Sequence, residues 1–112
     1  CALPICSMEA ALIHFSNSNE KNKIIVIGDM FELGKDKIQY HQQIINLCKK
    51  IDFRKVFIVG KIFSKTNFPK EFISKSNVNE LIDDLKSLSV KNSCILVKGS
   101  RGIELEKIVN YL

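Results

Sequence analysis

The sequence lacks the marks of a membrane, secreted or fibrous protein. No apolar run approaches the roughly 18 residues that a membrane-spanning helix needs, and no charged, apolar and small-residue series marks a secretory leader. The cytoplasm is the expected compartment, and no membrane partner is expected. With two prolines and five glycines in 112 residues, the composition excludes collagen, and it excludes coiled coil and long disorder as well. No internal repeat, low-complexity tract or linker is found. Chemistry-bearing clusters are missing too. No Cys-x-x-Cys pair, metal-ligand spacing, nucleophile with a base, or spaced pair of carboxylates can be assembled. No metal site and no catalytic residue is therefore expected, and an autonomous hydrolase is disfavoured.

What remains is an ordinary globular composition. At 46% hydrophobic residues, one compact domain over residues 1–112 is expected. A chain of this size buries roughly two thirds of the surface it exposes when unfolded, so a core without staples is reasonable. The 17 Lys plus Arg outnumber the 12 Asp plus Glu, but they are mostly lysines interleaved with acids. This reads as a solvated surface, and nucleic acid is not an expected partner. Among the cysteines Cys1, Cys6, Cys48 and Cys94, the last two fall in apolar periodic segments, and reduced thiols are expected. Cys1 in first position suggests a lipidated terminus or a chain cut from something longer; the apolar Ala2-Leu3-Pro4-Ile5 favours the cut chain.

Helix and strand signals alternate. Ser7 is a good N-cap, followed by Met8, Ala11, Leu12 and Phe15 at helical spacing, with a polar loop from Ser16 to Asn22. Lys23-Ile24-Ile25-Val26-Ile27-Gly28 is a β-branched run closed by glycine, as in a parallel strand covered on both faces. Asp36 to Ile51 puts Ile38, His41, Ile44, Ile45 and Cys48 on one helical face, and a second buried strand runs from Lys55 to Gly60. Lys61 to Lys70 reads as a short helix or a loop, and Glu71-Phe72-Ile73-Ser74 as a short strand. Val78, Leu81, Ile82, Leu85 and Leu88 predict a helix with Asn77 and Glu80 as a capping-box-like pair. Cys94 to Val97 is a third apolar strand, and Leu105, Ile108, Val109 and Leu112 predict a final amphipathic helix. The alternation predicts an α/β fold with a doubly wound, mostly parallel sheet and helices on both faces. Ligands bind such sheets at the carboxyl ends of the strands.

Two loops should meet on that edge. Gly28-Asp29-Met30-Phe31-Glu32-Leu33-Gly34 follows the first strand, and Lys98-Gly99-Ser100-Arg101-Gly102 follows the last. The second joins two cations, a hydroxyl and two glycines ahead of a predicted helix, where unpaired N–H groups and the helix dipole favour a carboxylate or phosphate. The alternative is a tight turn with solvated charges. It has neither the Walker order nor the dinucleotide G-x-G-x-x-G, and it follows a strand, unlike the G-x-x-G loop of KH domains. Asp29 could hold an amine, a ribose hydroxyl or hydrated Mg²⁺, or cap the next turn. Glu32 is a second polar group for an amine, or an exposed loop residue. His41 on its apolar face reads more readily as a hydrogen-bonded core histidine than as a ligand or base, and His14 has no evident partner.

Taken in order, Ser7-Met8-Glu9-Ala10-Ala11-Leu12, Ile27-Gly28-Asp29-Met30-Phe31-Glu32-Leu33-Gly34 with His41 downstream, Val56-Phe57-Ile58-Val59-Gly60, and Leu96-Val97-Lys98-Gly99-Ser100-Arg101-Gly102 are familiar. They resemble the C-terminal domain of the Mur ligases, in the branch that adds D-alanyl-D-alanine. The resemblance runs from about Ser7 to Leu112. It implies a Rossmann-like domain of a bacterial, ATP-dependent ligase that joins UDP-N-acetylmuramoyl-tripeptide to D-alanyl-D-alanine in peptidoglycan synthesis. In that family the tripeptide carboxylate is activated as an acyl phosphate, which the dipeptide amine attacks. ATP and Mg²⁺ are held mainly by a central ATPase domain and the UDP-sugar by an N-terminal domain. The C-terminal domain receives the dipeptide and closes over the nucleotide. By resemblance, then, the isolated domain is not expected to be catalytically competent or to carry a cofactor. Lys98, Gly99, Ser100 and Arg101 match the string expected to line the dipeptide pocket, and Asp29 with Glu32 the facing loop; His41 is a structural or site-supporting position. One departure stands out. Family members enter this domain through a strand ending in a D-x-Y-N-A-N-P-like motif, of which only Ala2 and Pro4 are matched here, and the first strand is expected to be missing. A free-standing α/β module for a small anion or nucleotide is the alternative.

Overall fold

The computed structural model describes residues 3–88 and 92–112. Cys1 and Ala2 of the apolar leading segment lie outside the described residues. Helix α1 (Pro4–Ser16) begins ahead of Ser7, which corrects the expected start. Leu3 is extended and Pro4 takes the first helical position, where its fixed φ suits the helix and its missing N–H has no partner to lose. Ser7 is therefore an internal residue of the helix. Cys6 is disulfide-bonded, a correction to the expectation of reduced cysteines, whereas Cys48 and Cys94 are free thiols. Pairing follows from the separation of cysteines in the fold, and no sequence motif announces it here.

Among the described residues, four strands form one parallel sheet: β1 (Lys23–Gly28), β2 (Lys55–Val59), β3 (Ile73–Lys75) and β4 (Cys94–Lys98), in the order β3-β2-β1-β4. Helix α2 (Lys37–Lys50) joins β1 to β2, and α3 (Val78–Ser87) precedes β4. Alternate residues of the central strands point to opposite faces, as the pleat requires. Ile25, Ile27, Val56 and Ile58 pack with Met8, Leu12, Ile44 and Ile45 from α1 and α2. Ile24, Val26, Phe57 and Val59 pack with Leu81 and Leu85 of α3 and with Leu105 and Ile108. Both faces are thus covered, the doubly wound arrangement expected from the β-branched runs. Burying one such isoleucine or valine contributes about 1.5–3 kcal/mol over leaving it exposed, so β1 and β2 hold the two cores together.

Several local expectations shift. The segment after β2 forms a 3₁₀ turn at Phe63–Lys65, and β3 starts at Ile73 because the Phe72 N–H turns back to the Pro69 carbonyl at 3.0 Å. Asn77 caps α3 by accepting from the Glu80 N–H at 3.0 Å, while the Glu80 carboxylate accepts from the Ser76 N–H at 3.1 Å, one residue before the cap. Ile38 is exposed, so the apolar stripe of α2 begins only at His41. The expected C-terminal amphipathic helix is instead a 3₁₀ helix, Leu105–Tyr111, entered through Glu104 in the left-handed conformation at φ 60°. A three-residue repeat aligns Leu105 with Ile108, which are buried, and leaves Val109 and Leu112 exposed.

Candidate functional site

From β1 the chain winds outward to β2 and β3, then returns to β4 on the other side of β1. The reversal places a crevice between the carboxyl ends of β1 and β4, the usual ligand position in such sheets. Register pairs Ile27 with Lys98, so the two loops leave the sheet side by side. They are bonded to each other. The Ser100 N–H donates to the Asp29 carbonyl at 3.1 Å, and the Phe31 N–H donates to the Ser100 hydroxyl at 3.0 Å. Gly99 permits this approach, because a Cβ there would lie 3.0 Å from the Gly28 Cα and 2.9 Å from the Leu105 side chain.

A cavity of about 250 Å³ opens at this crevice. Lys98, Gly99, Ser100 and Arg101 form one wall, Pro4, Ser7 and Met8 of α1 the other, and Met30 lies between them. Neither Lys98 nor Arg101 is in an ion pair among the described residues. The same loop also borders a second hollow of about 400 Å³, with Leu105, Glu106 and Val109. The wall is cationic through its side chains alone. Arg101–Ile103 is a single 3₁₀ turn, broken at Glu104, so the helix N-terminus expected to add its dipole is not formed. A small anion with an apolar flank suits this wall, with charge-assisted bonds from Lys98 and Arg101 and the Met8 and Met30 side chains beside them.

Asp29 is placed differently from the expectation of a ligand-facing carboxylate. It is buried, and its two oxygens accept from the Ile62 and Phe63 N–H groups at 2.9 Å each. It thus caps the turn after β2 instead of its own next turn. Gly60, at φ +124°, makes room for it: a Cβ there would come 2.3 Å from the carboxylate. Glu32 is exposed and left-handed at φ 65°, and neither acid lines the cavity. Both Asp29 oxygens are engaged by backbone N–H groups, so this carboxylate is not presented as a Mg²⁺ ligand, and the described residues hold no convergent group of three His, Cys, Asp or Glu.

His41 is fully buried in α2. Its Nε2 accepts from the Met30 N–H at 2.9 Å, and its Nδ1 lies 2.6 Å from the Lys37 carbonyl. A backbone N–H can only donate and a carbonyl only accept, so the ring is neutral with its proton on Nδ1. Burial lowers its pKa from 6.5, opposed by the bond to Lys37 and by the Asp29 carboxylate.

Of the residues singled out in the sequence, Lys98 to Arg101 line this cavity, whereas its opposite wall of Pro4, Ser7 and Met8 was not anticipated. The signal was Pro4, whose preference for the first helical turn marks the start of α1 ahead of Ser7.

Comparison with known proteins bears on this geometry. The model of the Mur ligase, glutamate ligase domain, matches residues 5–101. The UDP-N-acetylmuramoyl-tripeptide--D-alanyl-D-alanine ligase of Rickettsia prowazekii is 36% identical over 110 residues, covering 94% of this chain and 24% of that protein. Its counterpart from Buchnera aphidicola subsp. Acyrthosiphon pisum is 38% identical over 94 residues, covering 80% and 20%. The chain therefore spans at most about a quarter of the length of these relatives. Among solved structures, the MurF ligase of Thermotoga maritima in complex with ADP matches with a TM-score of 0.67 at 23% identity, over 96% of this chain and 24% of that one, a likeness of fold.

Proposed function

This chain belongs to the Mur ligase family, and on that premise we propose that it is the C-terminal domain of an ATP-dependent, cytoplasmic ligase of peptidoglycan synthesis that adds D-alanyl-D-alanine to UDP-N-acetylmuramoyl-tripeptide. Residues 1–112 form one substrate-binding domain in this proposal. Its part is to receive the incoming dipeptide and to close over the nucleotide. In the full-length ligase a central ATPase domain would hold ATP and Mg²⁺, which would supply activation of the tripeptide carboxylate, and an N-terminal domain would hold the UDP-sugar. In this proposal the isolated domain forms no amide bond, because the groups that activate the carboxylate belong to the other domains.

One observation carries the proposal: Lys98 and Arg101, in no ion pair among the described residues, line a small cavity at the switch point between β1 and β4. A zwitterionic dipeptide can lodge its carboxylate there, with Gly99 and Ser100 shaping the wall and its methyl groups near Met8 and Met30. Its amine must then point out of the cavity to reach an activated carboxylate held by another domain. On the facing loop, Asp29 acts by holding the rim, and Glu32 is an exposed carboxylate available to a cationic amine. The test is steady-state kinetics of the full-length ligase with each substrate varied in turn. Lys98→Ala and Arg101→Ala should each raise the KM for D-alanyl-D-alanine more than that for ATP. Equal effects on both substrates, or none, count against the proposal.

A further inference from the structure

The cavity rim is tied to the buried imidazole of His41. Met30, which lines the cavity, donates its N–H to His41 Nε2 at 2.9 Å, and the next residue, Phe31, donates to the Ser100 hydroxyl on the cationic wall at 3.0 Å. On the other side His41 is fixed to its own helix through the Lys37 carbonyl at 2.6 Å, and its ring meets the edge of Phe63 at 4.6 Å between centroids and 74° between planes. The Phe63 N–H is in turn held by Asp29 at 2.9 Å. One connected set of contacts therefore links α2, the turn after β2 and both rim loops.

We infer that His41 is a positioning residue for the dipeptide: as a neutral imidazole protonated on Nδ1, it accepts from the Met30 N–H and so holds the Met30 to Ser100 rim in the geometry that receives the dipeptide. This rests on the function proposed above. His41 touches no substrate in it and acts through Met30. The role requires a free lone pair on Nε2. A proton there would set a second donor against the Met30 N–H, 2.9 Å away. The charged groups that act on the ring are Asp29, with Oδ1 at 4.0 Å from Nε2, and Lys37 on the same helix; the Phe63 turn presents an apolar ring. A protonated ring would swing toward Asp29 and release Met30. The cost falls on dipeptide binding, since the loosened loop is bonded to Ser100.

The experiment uses the full-length ligase with His41→Leu and His41→Gln. Glutamine can present an amide oxygen to the Met30 N–H and does not titrate. His41→Leu should raise the KM for D-alanyl-D-alanine about tenfold, as expected for a buried donor left without its acceptor, with the KM for ATP changed less than about twofold. His41→Gln should restore the dipeptide KM near neutral pH and remove the rise that the unsubstituted enzyme shows on acidification. ¹⁵N spectra of the unsubstituted enzyme should give a protonated Nδ1 and a bare Nε2 without substrate present. Equal effects of His41→Leu on both substrates, a rise on acidification that persists in His41→Gln, or a proton on Nε2 at neutral pH overturns the inference. If His41→Leu does not fold, the pH profile of His41→Gln decides alone. Failure of the unsubstituted enzyme to turn over D-alanyl-D-alanine overturns the ligase proposal and this inference with it, whereas a competent enzyme with unresponsive variants overturns this inference only.

Discussion

Gly60→Ala should be among the most damaging single-methyl additions the chain can suffer. Two costs arise at once. The backbone sits at φ +124°, where an alanine is strained by about 1–3 kcal/mol. The new Cβ would also lie 2.3 Å from the Asp29 carboxylate, which must withdraw from the Ile62 and Phe63 N–H groups. Each of those bonds has a charged acceptor and contributes about 1.5–3 kcal/mol, part of which relaxation recovers. A loss of about 3–5 kcal/mol is expected, against the 5–15 kcal/mol that typically holds a domain together. Urea unfolding reads this as a fall in midpoint of about 2 M for a slope of 1–3 kcal/mol per molar. Gly34→Ala is the control, since Gly34 also has a positive φ, +73°, but nothing within 4 Å of an added Cβ; it should cost about 1–2 kcal/mol. Combining Gly60→Ala with Asp29→Ala should cost less than the sum of the two by more than about 1 kcal/mol, because the clash and the lost bonds share one carboxylate. Additive losses, or a Gly60→Ala effect no larger than that of Gly34→Ala, would refute this account of Asp29.

Three further outcomes follow from single contacts. Asn77→Ala removes the acceptor for the Glu80 N–H and should lower stability by about 1 kcal/mol in the same unfolding assay. Burial pushes the Cys48 thiol up to about 12, so it should resist iodoacetamide under mildly alkaline conditions and react only after unfolding, as counted by mass spectrometry. His41 has its folded pKa lowered below 6.5, so the stability it contributes is complete above the unfolded value and is lost as pH falls from there through the folded value. Thermal unfolding across that window should show the loss in the unsubstituted chain, and His41→Gln should flatten it.

Much of the scaffold was legible because its signals are local. The β-branched runs of β1 and β2 leave no polar face, so they demand helices on both sides, and Asn77 with Glu80 announces α3. The C-terminal segment was misread for a physical reason. Leu105 and Ile108 are three residues apart, a spacing that a 3₁₀ helix and an α-helix both satisfy over so short a stretch. The site divides in the same way. Lys98 to Arg101 stand out as a cationic, glycine-bearing turn at a strand end. The task of Asp29 depends on N–H groups more than thirty residues away, at Ile62 and Phe63, and no pattern around Asp29 encodes them. The wall made by Ser7 and Met8 was hidden by placing the helix start at Ser7 when Pro4 marks it.

The most direct test of the central claim is a crystal structure of the full-length ligase with D-alanyl-D-alanine bound. The terminal carboxylate should lie within hydrogen-bonding distance of Lys98 or Arg101, inside the cavity walled by Pro4, Ser7 and Met8, with the amine directed outward. A dipeptide seated elsewhere, with Lys98 and Arg101 facing only solvent, would contradict it.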